Sequence, residues 1–421
     1  MSTHSSETRQ SGKTSLPNAP TGQSFHVMAI LSTLMGFASI STDLYLPALP
    51  HMAAALGANT GQVEWTISGY LVGFSLGQLL WGPVSDRYGR RLPVAAGLVL
   101  FCVGSAGCAL SASVWAMIGW RAVQAVGACS GVVLARAMVR DLFPQDQAAR
   151  MLSLLITIMA IAPLIGPLAG GQILSLGSWR AIFWLLVAIG VATLAALFTI
   201  PETLPLEQRA QVPLGQVFRG YVTLLRDPHM LAYAGIGGCF YLGIYAYIAG
   251  TPFAYIEYYH VAPSHYGWLF GAGILGIMGT NMVNAALSER FGSRRLMKIG
   301  TTMAALAGLF AALAALTGWG GLIGLVIPLL VYCAAAGLII ANSIVCALSR
   351  HPDRAGSASA LVGAAHYGSG IAGSGLVGIL ANGTPAPLGV VMALGGAGTL
   401  LCMSLLSLRT KPAVPRFIIK E

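Results

Sequence analysis

Apolar and polar positions alternate along this chain in blocks of tens of residues. Twelve blocks are long and apolar enough to cross a bilayer, which takes ~20 such residues wound as a helix. They cover 25–48, 63–83, 93–112, 116–139, 151–173, 179–200, 229–255, 266–287, 297–316, 321–347, 356–381 and 385–408. Most connections between them are short. One long polar interruption, "PETLPLEQRAQVPLGQVFRGYVTLLRDP" at 201–228, divides the chain into six helices plus six. The pattern predicts an all-α polytopic membrane protein. Its expected parts are a disordered tail at 1–24, a six-helix bundle at 25–200, a central loop at 201–228, a second six-helix bundle at 229–408 and a tail at 409–421. The first 24 residues are Ser/Thr-rich and carry neither the apolar core nor the cleavage site of a signal peptide.

Composition strengthens this picture. Of 421 residues, 56% are hydrophobic and only 9% charged, against about 25% charged in a soluble domain. The mean hydropathy is +0.75. The bilayer is the expected solvent. A net charge of +10 would suit nucleic acid, but the positions of the charges argue otherwise. Arg9 and Lys13 precede the first span. Arg87, Arg90 and Arg91 lie between spans 2 and 3, and Arg140 and Arg150 flank the 4–5 loop. Arg209, Arg219 and Arg226 occupy the central loop. Arg290, Arg294, Arg295 and Lys298 follow span 8, Arg350 and Arg354 follow span 10, and Arg409, Lys411, Arg416 and Lys420 end the chain. With twelve spans all of these fall on one side, and only Arg121, Arg136 and Arg180 of the 23 basic residues fall elsewhere. Basic residues gather on the cytoplasmic side of membrane proteins, so both termini are expected there, with no role for nucleic acid. The seven cysteines sit singly in apolar runs and form no metal-like cluster. No GxxxxGK[ST] loop, metal spacing or nucleophile elbow is visible, so neither an enzyme nor a cofactor is expected.

The halves share a trace of sequence. "SDRYGRR" at 85–91 matches "SERFGSR" at 288–294, each after the second span of its half, and Gly166 corresponds roughly to Gly370. Parallel repeats imply two bundles around a central cavity. The twelve-span layout resembles the major facilitator superfamily. "GPVSDRYGRR" (82–91) resembles its span 2–3 signature, "RAVQAVG" (121–127) its span 4 signature, and "APLIGPLAGG" (162–171) the span 5 signature of its antiporters. "STDLYLPALP" (41–50) and "PETL" (201–204) are similar to the Bcr/CflA group of bacterial drug:proton antiporters, which includes bicyclomycin and chloramphenicol exporters. The resemblance spans 25–408. It implies efflux of small amphipathic drugs across the bacterial inner membrane by alternating access, driven by protons, with no partner subunit required.

Each motif can be weighed on its own chemistry. Asp43 is a carboxylate in an apolar span, costing roughly 2.5–3.5 kcal/mol at the bilayer centre if ionised. It must face water, meet a cation or take a proton. Counting along spans 1 and 4 places Asp43 and Arg121 at similar depth, and the resemblance makes those spans neighbours. Both are candidates for proton coupling; a static ion pair or an interfacial Asp in water is the competing reading. Gln124 shares a helical face with Arg121. Arg136, deeper in span 4, is expected to snorkel. Pro47 and Pro50 are expected to bend or end the first helix, or simply to begin a loop. Gly82, Asp86, Arg87, Gly89, Arg90 and Arg91 form the candidate gating loop. The family implies that Asp86 locks the two halves, and the start of helix 11 at Gly356, Ser357 and Ala358 is a plausible docking end. An ordinary positive-inside loop is the alternative.

Gly166, Pro167, Gly170 and Gly171 suit close helix packing with a bend, which would seal the outward side of an exporter; generic membrane packing competes. Tyr45, Tyr70, Phe74, Tyr241 and Tyr245, with Gln124, are candidates to line a drug cavity. Trp65, Phe240 and Tyr247 join them as aromatic candidates, and an interfacial aromatic belt is the other reading. Glu64 and Trp65 are read as possible markers of the outer interface. His366 stands where the family more often has Gln nearby; it either titrates or bonds a ligand, or is merely packed. Expected partners are a small molecule, protons and lipid, with the chain acting as a monomer. Two other functions stay open: export of one metabolite such as an amino acid or nucleoside, and a receptor or scaffold without transport. The costly intramembrane Asp43 and Arg121 speak against the last.

Overall fold

The computed structural model describes residues 21–143, 145–209, 221–349 and 355–409. Most of the two expected tails lies outside the described residues, and so do Arg219, Arg350 and Arg354. Twelve long helices follow in order: α1 Thr21–Asp43, α2 Thr60–Tyr88, α3 Arg91–Leu110, α4 Val114–Leu142, α5 Gln145–Leu176, α6 Trp179–Leu197, α7 Pro228–Pro252, α8 Pro263–Phe291, α9 Ser293–Thr317, α10 Gly321–Leu348, α11 Ala355–Leu380 and α12 Ala386–Arg409. Each overlays the apolar block that predicted it. The helices tend to run past the apolar blocks into polar turns, because helical hydrogen bonding continues beyond the lipid-facing core.

Two ends are set by local chemistry. α1 stops at Asp43, short of the expected 48, and is followed by a 3-10 turn, Leu46–Ala48, and a short helix, Leu49–Ala55. Pro47 and Pro50 lie in the first turns of these two pieces. A residue without an N–H fits there and not in a helix interior. The start of α2 is fixed by a capping box: the Asn59 side chain accepts from Gln62 N–H, and the Gln62 side chain accepts from Asn59 N–H.

The helices pack as two six-helix bundles. In the first, α4 contacts α1, α2 and α3, α3 contacts α6, and α1 contacts α5. In the second, α10 contacts α7, α8 and α9, while α12 lies against α7 and α9, and α11 against α7. The bundles meet along two seams, α2 with α11 and α5 with α8. The sequence repeat has a structural counterpart. α2 and α8 both end on a glycine with positive φ, +91° at Gly89 and +73° at Gly292, and the chain enters the next helix within two residues. That conformation is nearly free for glycine and costly for other residues.

Nine helical stretches among the described residues are long and apolar enough by composition alone to span a membrane; α5 enters only through a shorter apolar stretch, Ile161–Leu176, and α2 and α11 do not enter. These two face each other across a seam, and the polar residues that lower their hydropathy are spent there. The Ser68 and Ser374 hydroxyls are 2.7 Å apart, and Ser75 donates to the Ala364 carbonyl at 2.9 Å. Lipid cannot satisfy such groups, so a partner helix must.

Within the first bundle Gly73 lets α2 touch the backbone of α4: a Cβ there would strike the Ala122 carbonyl. Gly82, on the same helix, faces open space. Helical Gly→Ala gains up to about 1 kcal/mol in propensity, whereas overpacking costs typically ~1–3 kcal/mol. Thermal unfolding of purified protein is therefore expected to show Gly73→Ala melting below wild type and Gly82→Ala melting at or above it.

Candidate functional site

The site is built around Arg121 of α4, whose side chain has no solvent exposure. Nη1 donates to the Ser41 carbonyl at 2.9 Å and to Gln124 Oε1. Gln124 in turn donates through Nε2 to Ser105 Oγ at 2.7 Å. The guanidinium lies over two rings, 4.2 Å from the Tyr45 centroid and 4.3 Å from that of Tyr70. A planar cation between aromatic faces is stabilised by both ring quadrupoles. The rings are themselves tethered: Tyr70 OH to Ser41 Oγ at 2.6 Å and Tyr45 OH to Thr66 Oγ1 at 3.1 Å. Nε and Nη2 of Arg121 have no hydrogen-bond partner.

Asp43 closes α1 beside this cluster and is 5% exposed. Arg121 is near enough for its charge to act on Asp43, yet the two form no ion pair. Among the described residues the ion pairs within reach are Arg90 with Asp86 and with Asp141. The static Asp43–Arg121 salt bridge weighed from sequence is therefore absent: Nη1 is taken by the Ser41 carbonyl and Gln124, while Nε and Nη2 stay unpaired. Asp43 also sits at the carbonyl end of α1 rather than within it, an unfavourable place for an anion.

Behind Asp43 stands α5. A Cβ on Gly166 would come 3.0 Å from that of Asp43, and one on Gly170 would strike the Leu44 carbonyl. Gly171 faces the other way, where a Cβ would lie 2.8 Å from the Pro263 carbonyl of α8. Pro167 is buried between them. This glycine-rich stretch thus connects the carboxylate to a seam between the bundles, a juxtaposition that spacing within α5 could not reveal.

The candidate aromatic residues divide. Tyr70, Phe74, Tyr241 and Tyr245 form one cluster reaching from α2 to α7, and Tyr367 of α11 joins its parts. Tyr367 lies 4.5 Å from Phe74, 5.6 Å from Tyr241 and 6.3 Å from Tyr245. Tyr367 was missed in the sequence although it adjoins His366. Phe240 and Tyr247 point elsewhere, stacking on Tyr332 and Phe270 inside the second bundle. Their place in one aromatic run misled, because neighbours on a helix face different ways. His366 is packed, 2% exposed, its ring 4.7 Å from that of Tyr241. Its Nε2 has no partner. Arg136 is exposed and within electrostatic reach of Tyr241 and Tyr367 of the other bundle. Its exposure agrees with a charged head kept in water, as expected of an arginine that snorkels toward headgroups or cytoplasm.

The loop after α2 is the second cluster. Arg90 pairs with Asp86 and, through Nε, with Asp141 at 2.8 Å, and donates to Ser85 Oγ at 2.7 Å. Arg87 is exposed over the Tyr88 ring, and Gly82 has no close neighbour. Arg91 Nη2 donates to the Phe198 carbonyl at 2.9 Å. Asp86 was expected to reach the start of α11; its partner here is Arg90 instead. The carboxylate that does occupy a helix N-terminus is Glu202 of "PETL". Its Oε1 and Oε2 accept from the backbone N–H groups of Arg90 and Arg91 at 2.7 and 3.0 Å, where α3 begins. Partial burial would raise this carboxyl, but the N–H groups of Arg90, Leu204 and Arg91 and the Arg209 charge hold it below the usual glutamate range.

Comparison with known proteins adds the lineage. The profile of the Major Facilitator Superfamily matches residues 31–374 and, in a second match, 236–420. The chain is 35% identical over 378 residues to an uncharacterized MFS-type transporter, YdgK of Bacillus subtilis, covering 89% of this chain and 93% of that one. It is 28% identical over 362 residues to a bicyclomycin resistance protein homolog of Haemophilus influenzae, covering 86% and 90%. Among solved structures, the xylose transporter XylE of E. coli in a partially occluded inward-open conformation superposes with a TM-score of 0.71 at 16% identity, covering 92% of this chain and 98% of that one. The chain belongs to the Major Facilitator Superfamily.

Two outcomes test the site's construction. Arg121→Lys keeps the charge but cannot lie flat between Tyr45 and Tyr70; purified protein should melt below wild type, and below a Tyr70→Phe variant that retains the ring. Glu202→Gln should melt lower at pH 7. A carboxyl depressed on folding contributes above its unfolded value, near 4.3, and that contribution is lost as pH falls through its lower folded value. The gap between Glu202→Gln and wild type should therefore close in acid.

Proposed function

We propose that this member of the Major Facilitator Superfamily exports small amphipathic compounds from bacteria across the inner membrane in exchange for protons. The observation that carries the reading is a buried carboxylate, Asp43, beside a permanently charged Arg121 that keeps two unpaired donors. With a proton on Asp43 the pair is disengaged, and the lack of an Asp43–Arg121 ion pair among the described residues supports this. Without the proton, the carboxylate turns toward the free Nε and Nη2 of Arg121. That movement pulls on the end of α1 and, through Gly166 and Gly170, on α5 at the inter-bundle seam. Proton binding is thereby linked to the seam between a unit at 25–200 and a unit at 229–408, joined by the central loop at 201–228. The arginine-rich end and both termini face the cytoplasm, and the monomer is the working unit.

Cargo is taken from the cytoplasm into the aromatic space bordered by Tyr70, Phe74, Tyr241, Tyr245, Tyr367 and His366. Flat, partly apolar molecules suit such walls, with tyrosine hydroxyls for polar contacts. The gating loop holds the cytoplasmic ends of α2 and α3 through Asp86, Arg90, Asp141 and Glu202, and releases or engages α11 as the halves rock. The membrane potential adds ~2.3 kcal/mol per charge per 100 mV, so one inward proton per molecule favours export of neutral cargo, whereas one-for-one exchange with a monovalent cation moves no net charge and draws on the proton gradient alone. The similarity to a bicyclomycin resistance protein homolog supports a drug-like cargo. Export of one metabolite by the same cycle is the second reading, because the proton machinery does not define the cargo.

Drug susceptibility in an efflux-deficient bacterium, with matched expression, tests this. Wild type should confer resistance to bicyclomycin, chloramphenicol or a similar compound, and Asp43→Asn should abolish it. Resistance unchanged in Asp43→Asn would remove this carboxylate from coupling. No resistance to any compound, with protein in the membrane, would favour the metabolite reading.

A further inference from the structure

At the end of the molecule opposite the arginine-rich loops, α2 meets the end of α7 and the link between α11 and α12. A small cavity of about 30 Å³ lies there. Glu64 lines it from the first bundle and Glu257 from the second. Glu257 is carried on Phe253–Tyr258, where α7 widens into a π-helical turn. Glu64 is 2% exposed, and its Oε2 has no hydrogen-bond partner. The charged group acting on it is the other carboxylate, Glu257. The remaining polar lining is Thr60, Tyr258, Asn382 and Thr384, and no basic side chain among the described residues lines the cavity. Glu64 was read in the sequence as a mere interface marker, and nothing in the Asp43 site uses it.

The position along α2 gives the cavity its meaning. Gly61 and Trp65 pack on Gly378 of α11, and Ser68 bonds Ser374. Glu64 therefore stands within the α2–α11 seam, at the level where the bundles are closed against each other. A buried carboxylate with neither cation nor donor is unfavourable and takes up a proton instead. A second carboxylate nearby makes two negative charges at this seam still less favourable.

We propose that Glu64 is a second proton-binding site, distinct from Asp43, whose proton allows the outer seam between the two bundles to close. When α2 and α11 part, water enters, Glu64 releases its proton to it, and repulsion between Glu64 and Glu257 holds the seam apart. Closure waits for a proton from the outer water. The gating half of this proposal rests on the alternating cycle described above; the proton itself does not.

Infrared spectroscopy of the full-length protein reads the proton without any cargo. In an Asp43→Asn background, the carbonyl-stretch band of a protonated carboxylic acid should persist at pH 7 and vanish on adding Glu64→Gln. Glu257→Gln should keep the band and move its midpoint to lower pH, since the like charge is gone. For the seam, Ser374→Cys in a chain without its native cysteines should react with an impermeant maleimide faster as outer pH rises. Glu64→Gln should hold that rate at least tenfold lower at high pH. Absence of a band dependent on Glu64 would overturn the proton site. So would a carboxylate signal and labelling rate that respond to sodium, potassium or calcium at fixed pH, which would mean a metal cation there instead. Loss of drug resistance with the band intact would count against the export cycle and not against the proton.

Discussion

A guanidinium that cannot lose its charge is enclosed completely within a membrane-spanning bundle, and the first half of this protein is arranged to satisfy it. Arg121 draws on a backbone carbonyl of α1, an amide on its own helix, and the faces of two tyrosines from the α1 end and from α2. Each of those partners is held by a further hydrogen bond, to Ser105, Thr66 or Ser41. The need to shield one charge thus locks four segments together. It also leaves two donors unused, next to a carboxylate that has no ion-pair partner, and an unfinished network is one that can switch.

Rigidity around Arg121 contrasts with the seams. α2–α11 and α5–α8 are rich in glycine, serine and backbone contacts, and the first seam adds the Phe74–Tyr367 ring contact and Trp65 packed on Gly378. Small residues let backbones approach closely, with van der Waals contact and hydrogen bonds as the attraction. Such contacts can part and re-form without leaving a large cavity in either bundle. Asp43 abuts one seam through Gly166 and Gly170, and Glu64 lies in the other.

The arginine-rich end obeys a related electrostatic rule with a different cast. A helix N-terminus there does attract a carboxylate, but the helix is α3 and the carboxylate Glu202, brought by the segment that follows α6, the neighbour of α3 in the bundle. Asp86, the residue whose position invited that role, is taken by Arg90, four residues on. Which acid finds which helix end depends on how the bundle closes, and "PETL" carried the answer as a family resemblance without its geometry.

The sequence by itself determined the twelve helices and their grouping into six plus six, and it singled out Asp43, Arg121, Pro47 and Pro50 as residues that an apolar span does not readily accept. Hydropathy and helix-ending chemistry are local: lipid forces each span to satisfy its own backbone, so the spans can be read one at a time. Only the tertiary structure decided which side chains meet. Ser41 and Arg121 lie 80 residues apart, and Glu202 reaches Arg90 across 112. Phe240 and Tyr241 are adjacent, yet one enters the second bundle's core and the other joins the inter-bundle cluster. Glu64 and Glu257 share a cavity because two bundles close on each other. These meetings depend on helix rotation and docking, and a single chain's apolar periodicity specifies too little of either when almost every face of the helix is apolar.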